Sequence, residues 1–408
     1  MVSLPSSMMT PLSQAQAEVE ARSRALAAED TPLAEAGGRV LARPVAAARD
    51  LPGTDISMMD GYALRAGDAT GALRVVYEVA AGDASPARAL QAGEAARIFT
   101  GAPVPAGADC VVMQEDAARS GTELRVGPTA APKAGQHIRR RGEEVRAGAT
   151  VLPAGTRLGP AELSLAAACE AARVQVHRRP RVAVLTTGDE LVALGQEPAP
   201  GKLVETNSHA LAQLAREAGA EPLFLGIAPD RVEEIAAKLG AAEADVLVTT
   251  GGASVGDHDH AQAALERLGG ELIFHTVAIR PGKPVLFGTA SRGRLVFGLP
   301  GNPAAAMLGF ELFVRLAVRI LSGDPQPRRP RARAELRGGT LSRIPGLTFF
   351  PRGRASIDAG RLVFTPGGQQ SSMQIGSWSA VNAIAQIDPG EGKVGPGEAV
   401  DVLLLGPI

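Results

Sequence analysis

The sequence predicts a multidomain α/β and β protein, in which a central α/β domain with a mostly parallel sheet covered by helices lies between strand-rich segments. Three observations predict it. The 408 residues exceed what one ordinary core holds. Over residues 179–325, continuous apolar runs alternate with helical stretches, the pattern of a parallel sheet covered on both faces. On either side, short β-type segments are cut by glycine and proline.

Taken in order, "LSQAQAEVEARSRALA" within residues 10–45 has Ala and Leu at helical spacing. From Pro52 to Gly148 the segments "LRVVYEV", "ARIF", "CVVMQED" and "ELRVG" predict a small β domain. "RVAVLTT" is then a buried strand ending at Gly188, and "SHALAQLAREAGA" a helix capped by Asn207 or Ser208. "EPLFLGI" predicts a strand, "DRVEEIAAKLGAA" a helix, "ADVLVTT" a strand and "HAQAALERLGG" a helix. "PVLFG" and "RLVFGL" are further strands, closed by the long apolar helix "NPAAAMLGFELFVRLAVRILSG". A Pro/Arg linker, "DPQPRRPRAR", leads to a strand-like tail from Ala332 to Leu405.

Aromatics make up only 3% of the chain, so Ala, Val and Leu must fill the cores. A net charge of -1 argues against nucleic acid or a membrane surface as partner, since both need a basic field. Two cysteines, Cys110 and Cys169, are too few for a disulfide framework and read as buried free thiols. The N-terminus lacks a basic and then apolar leader, and no apolar run reaches spanning length. The expectation is a soluble, cytoplasmic protein.

Chemistry concentrates where strands end. "TTGGASVGDHDH", Thr249 to His260, follows an apolar strand and precedes a helix. Gly251, Gly252 and Gly256 let N–H groups approach an anion, and Ser254 adds a hydroxyl. The alternative is a plain turn capped by Asp257 or Asp259. A metal site on "GDHDH" is disfavoured, because adjacent side chains point apart. "TTGDEL" puts Asp189 and Glu190 at the equivalent edge, so Glu190 and Asp259 face one cavity and suit Mg²⁺ beside phosphates. Helix-start acids complementing the dipole are the alternative. Asp230 with Glu233 fits a capping box. "RPGKP" sets Arg280 and Lys283 on a stiff turn suited to an oxyanion. "GLPGNPAAA" contains Pro300, Gly301, Asn302 and Pro303, with Asn302 as N-cap of the long helix. In the β domain, "MMDGYAL" makes a turn at Asp60, and "RRRGEEV" packs three arginines against two glutamates around Gly142.

These segments in this order resemble the molybdopterin molybdenumtransferase family, which includes the C-terminal domain of gephyrin. The text carrying it is "MMDGYA", "IFTGAPVPAGADCVVMQED", "RRRGEEV", "TTGDEL", "TNSHAL", "GGASVGDHD", "AIRPGKPVLFG" and "GLPGNPAAA". The resemblance spans about Asp55 to Gly309, with a thinner echo to Gly397. It implies a linking and dimerisation domain (1–50 and 146–178), a small β domain (51–145), an α/β molybdopterin-binding domain (179–325) and a C-terminal β-barrel-like domain (326–408). It further implies molybdenum insertion from molybdate into adenylylated molybdopterin with release of AMP, assisted by Mg²⁺ or a similar divalent cation. Family members are homodimers whose cleft lies between the α/β domain of one subunit and the β domain of the other. The upstream molybdopterin adenylyltransferase is a further expected partner. Carried over, Asp60, Thr100, Glu190 and Asp259 are catalytic. Asp60, Glu190, Asp259 and Glu144 are metal ligands, with Glu144 standing where many relatives have aspartate. Asp230, Arg280, Lys283, Arg352 and Ser371 join the glycine loops in binding substrate. A scaffold that holds molybdopterin without turnover, and a pyrophosphate or nucleotide hydrolase sharing the α/β domain, are the alternatives.

Overall fold

A computed structural model of the chain describes residues 9–84, 88–252 and 260–408. The chain packs as two compact units. One holds the N-terminal segment to Glu29, Gly38–Ala42 and Val176–Ile408; the other holds Asp30–Gly37 and Arg43–Gln175.

In the second unit, six strands form one sheet, in the order Cys110–Met113, Gly61–Leu64, Glu94–Ile98, Ala72–Val79, Glu123–Val126 and Ala117–Ser120. Gly61 is required there: a Cβ on it would fall 1.9 Å from the Val112 carbonyl oxygen. The strand therefore pairs closely at the point where Asp60 enters it. Burial pushes the thiol of Cys110 up to about 12, so this free, buried cysteine is inert. The "RRRGEEV" expectation needs correction. Arg139 pairs with Glu144, but Arg140 pairs with Asp55 and Arg141 with Asp50. Ile138–Arg139 runs antiparallel to Ile56–Ser57, which lays the arginines over those upstream aspartates.

In the first unit, the order is Glu221–Ala228, Arg181–Thr187, Val246–Thr250, Arg294–Leu299, Pro284–Ala290 and Glu271–Thr276. The first four strands are parallel, and Pro284–Ala290 pairs antiparallel with both Arg294–Leu299 and Glu271–Thr276. The apolar runs are continuous because both faces are covered. Val182 and Val184 enter one core, with Phe287, Phe297 and Phe313. Ala183 and Leu185 enter the other, beneath the helices carrying Ile235, Leu239 and Leu265.

Two capping expectations fail. Helix Asn207–Ala218 begins after Thr206, so Asn207 is its first helical residue rather than its cap. The carboxylate of Glu205, not Asn207 or Ser208, serves this end: it accepts the Ser208 N–H at 2.8 Å and the Ser208 hydroxyl at 2.5 Å. Helix Val232–Ala241 has Arg231 at its cap position and no side-chain cap bond, so Asp230 and Glu233 form no capping box. Asp230 lies one residue too early.

The closing helix is Pro303–Gly309, then a π-helical turn Phe310–Val314, then Arg315–Leu321. Its buried Glu311 accepts two 2.8 Å bonds from Arg329, and Arg315 approaches at 3.8 Å. Burial first, then the neighbouring Arg329, lowers the Arg315 guanidinium to about 10. The Pro/Arg segment is thereby anchored rather than loose: Arg328 pairs with Glu20 and Arg329 with Glu311. Glu311→Ala is expected to cost about 3–5 kcal/mol, because the half-buried Arg329 loses its ion-pair partner and the buried Arg315 loses one of its neighbouring carboxylates. Urea denaturation of this variant beside Glu311→Gln checks it; equal, small losses would refute the expectation. Beyond the segment, five strands close a barrel, in the order Arg331–Leu336, Arg361–Pro366, Arg352–Asp358, Ala383–Gln386 and Ala399–Leu404. Among the described residues, no helix is long and apolar enough to cross a membrane.

Candidate functional site

At the carboxyl ends of the parallel strands lies a cavity of about 580 Å³. This is the edge where open α/β sheets bind ligands. Its wall includes Thr187, Glu190, Asp230, Gly251, Gly252 and the turn Pro300–Pro303. Gly251 is held at φ +94°, and a Cβ there would lie 2.2 Å from the Thr187 carbonyl oxygen. No other residue type fits that approach. At Gly188 a Cβ would meet the Glu190 carboxylate at 2.6 Å. Its absence lets that carboxylate fold over the strand end.

Two polar atoms in this wall are buried without a hydrogen-bond partner among the described residues: Thr187 Oγ1 and Asp230 Oδ1. Buried polar groups are normally paired, so orphans lining a cavity mark a place where a ligand completes them. Ser254, Gly256 and Asp259 lie outside the described residues, as do Asp257 and His258.

Asn207 clasps two of the strand-end loops. Its amide nitrogen donates to Thr250 Oγ1 at 2.7 Å and to the Gly301 carbonyl at 2.8 Å. Thr250 Oγ1 in turn donates to the Pro300 carbonyl at 3.0 Å. Asn302 occupies the cap position of the closing helix, but its side chain makes no cap bond; it donates to Ser372 Oγ at 3.3 Å. The Ser372 carbonyl takes the Ala304 N–H at 3.2 Å, so this helix end is partly covered from the C-terminal region. Pro284 reaches the cavity wall, whereas Arg280 and Lys283 stand just before it in the chain. Neither cation has a carboxylate partner among the described residues, and Arg280 is exposed beside the pairing of Ile279–Arg280 with Thr348–Phe349.

Arg352 is 1% exposed at the start of a barrel strand. Its Nη2 donates to the Ser371 carbonyl at 3.2 Å, while Nε and Nη1 have no partner among the described residues. Burial lowers its pKa. The structure thus brings Arg352 and Ser371 together, through the Ser371 backbone.

In the other unit, Asp60 is exposed and fixed by Thr100. The Thr100 N–H and hydroxyl both donate to Asp60 Oδ1, each at 2.8 Å. Oδ2 is left without a partner among the described residues. The Thr100 N–H, then its hydroxyl, hold the Asp60 carboxyl below its ordinary pKa, with Arg97 adding a smaller pull. Arg97 is itself held over the rings of Phe99 and Tyr62, 4.5 and 5.3 Å from their centroids. Glu144 has the Arg139 ion pair described above. Among the described residues, no three metal-ligating side chains gather in one place.

Three family profiles match this chain in sequence. They are the MoeA N-terminal region (domains I and II) at residues 10–169, a probable molybdopterin binding domain at 183–320, and the MoeA C-terminal region (domain IV) at 340–405. A molybdopterin molybdenumtransferase of Nostoc sp. is 37% identical over 395 residues, covering 91% of this chain and 87% of that one. The chain belongs to the molybdopterin molybdenumtransferase family. A Bacillus subtilis molybdopterin molybdenumtransferase is 35% identical over 378 residues, covering 90% of this chain and 87% of its own length. A crystal structure of the molybdopterin biosynthesis protein MoeA of Pyrococcus horikoshii aligns with TM-score 0.83 at 30% identity, over 98% of this chain and 100% of that one. The expected α/β domain, β-rich parts and C-terminal barrel are those of the family fold.

For a molybdopterin molybdenumtransferase-family protein, sequence reasoning missed Thr187, Glu205 and Asn207. Asn207 and Glu205 are buried polar residues on a helix start, a pattern that reads as capping from sequence alone. Their signal was the "ETN" run at the entry to an amphipathic helix. Arg352→Met tests the expectation that this buried guanidinium serves binding rather than folding. Arg352→Met removes a buried charge that has no counter-charge among the described residues, so stability is expected to hold or rise by about 1 kcal/mol. Molybdopterin binding is expected to weaken tenfold or more. Fluorescence titration beside thermal melting checks both.

Proposed function

We propose that this chain is an enzyme of molybdenum cofactor biosynthesis that inserts molybdenum into adenylylated molybdopterin and releases AMP. The observation that carries the reading is the cavity at the carboxyl ends of the parallel strands, inside the segment matched by the molybdopterin binding domain. Its unpaired oxygens, glycine backbone and nearby Arg280 and Lys283 suit a pyrophosphate-bearing pterin. The names carried by its relatives favour catalysis over a passive scaffold.

Cleavage of the phosphoanhydride is governed by positioning and charge neutralisation. The glycine loops position the phosphates. Arg280 and Lys283 oppose the oxyanion charge of molybdate, the second substrate. Asp60, kept anionic by Thr100, orients a water molecule through Oδ2; the water oxygen forms the new bond to phosphorus as the bridging P–O bond breaks, so AMP leaves and the pterin keeps its own phosphate. A divalent cation fits this donor set: Glu190 and Asp230 present hard oxygens in one wall, and Asp230 Oδ1 lacks a partner among the described residues. When bound, Mg²⁺ would neutralise phosphate oxygens; Asp259 belongs to the same proposed set. Glu144 is a weaker ligand candidate, since Arg139 already neutralises it. The resemblance also supports a homodimer in which Asp60 and Thr100 of one copy serve the α/β domain of the other, a cytoplasmic setting, and supply by the upstream molybdopterin adenylyltransferase.

The test is direct. Purified protein given adenylylated molybdopterin, molybdate and Mg²⁺ should release AMP and yield a pterin carrying molybdenum. Stoichiometric retention of intact adenylylated molybdopterin under those conditions would support the scaffold and end this reading.

A further inference from the structure

The opposite end of the same sheet holds a second cavity, of about 730 Å³. It lies at the amino-terminal ends of strands Arg181–Thr187, Val246–Thr250 and Arg294–Leu299, roughly 15–20 Å from the first cavity by strand length. Six arginines line it: Arg22, Arg24, Arg178, Arg181, Arg292 and Arg294. The wall holds only two carboxylates, Glu243 and Asp245.

Those carboxylates are already committed. Asp245 accepts two bonds from Arg178, at 2.9 and 2.5 Å, and the Arg181 N–H at 2.9 Å. Glu243 lies 3.6 Å from the Arg181 guanidinium. Arg22 is paired with Glu18. Arg24, Arg292 and Arg294 are left with no carboxylate among the described residues.

Arg294 is the most telling of the three. It is 8% exposed, and its guanidinium reaches only neutral oxygens, at Ser291 and on the Leu239 and Gly240 carbonyls. Burial, then the like charge of Arg292, pushes its pKa down. Arg292 sits at φ +66°, a left-handed conformation that costs a non-glycine residue about 1–2 kcal/mol. That conformation belongs to the tight turn joining Pro284–Ala290 to Arg294–Leu299; it sets one cation beside another, which is unfavourable by itself and is relieved by an anion between them. Leu26, Leu295 and Leu321 supply an apolar floor.

We propose that this cavity binds a phosphorylated small molecule of nucleotide size, with its phosphates among Arg24, Arg292 and Arg294 and its ring over the leucines. Arginine forks match phosphate oxygens, and the volume suits such a ligand. A nucleic acid is the poorer occupant, because the basic residues form a pocket on a chain of net charge -1 rather than a stripe.

Calorimetry on the full-length protein with ADP, pyrophosphate and adenosine tests this. ADP should bind, adenosine alone should not, and pyrophosphate should bind more weakly than ADP. Arg24→Ala with Arg292→Ala, both at exposed positions, should weaken ADP binding about tenfold or more. The same double variant should keep its melting temperature and release AMP at the wild-type rate. Unchanged ADP affinity in that variant places any bound nucleotide elsewhere and overturns the proposal, as does absence of binding at millimolar ADP. Equal affinity for pyrophosphate and ADP overturns the nucleotide-sized ligand. Failure of the proposed activity would show separately, as no AMP release by the wild-type protein.

Discussion

Asp60→Asn is expected to lower the rate of AMP release by at least ~100-fold while leaving the melting temperature unchanged. The side chain is exposed, so its loss removes little packing. Asparagine preserves the shape and can still accept from Thr100, but it removes the anion. The pH dependence follows from the direction of the shift. The Asp60 carboxyl is depressed by the Thr100 N–H and hydroxyl, so the ionised form persists above that lowered value and is lost only as pH falls through it. Thr100→Val keeps the backbone bond and deletes the hydroxyl, so the acid limb of kcat/KM should move part of the way back up. Wild-type turnover by Asp60→Asn would remove Asp60 from the chemistry. An unmoved acid limb in Thr100→Val would show that another group sets it.

Gly251→Ala should be among the most damaging single methyl additions in the α/β domain. The new Cβ would sit 2.2 Å from the Thr187 carbonyl oxygen and 2.9 Å from Thr187 Oγ1, on a backbone at φ +94°. Both the clash and the left-handed backbone oppose it, for an expected loss of about 3 kcal/mol or more. Gly301→Ala is the control within the same wall. Its Cβ would meet its nearest neighbour, Gly251 Cα, at 3.5 Å, an ordinary contact. It should cost under about 1 kcal/mol. Denaturant titration and molybdopterin binding of the pair check this; equal losses would show that the Gly251 loop relaxes freely.

Much of the fold could be read from residues. The run "RVAVLTT" predicts a strand buried on both faces because no polar residue interrupts it, and Val182 to Leu185 do alternate between two cores. The glycines after Thr250 predict a close backbone approach, and Gly251 makes one. Side-chain assignments at helix starts were less legible. Asn207, Asp230 and Asn302 are residue types that favour caps, yet none makes a side-chain cap bond. Capping preference is local, whereas the partners of Asn207 lie 43 and 94 residues away in the chain. The fate of "RRRGEEV" was set likewise by strand pairing with a segment upstream of it. Arg352 is the extreme case: burial of an arginine with no counter-charge among the described residues has no signature in sequence.

The clasp made by Asn207 has an evolutionary corollary. One amide group serves two loops, and its partner in one of them is the Thr250 side chain, so residues 207 and 250 cannot drift as separate characters, whereas position 301 offers only its backbone carbonyl. Lineages that exchange Asn207 should show a matching exchange at Thr250, and chimaeras that splice these segments from different parents should lose ligand affinity until the pair is reunited.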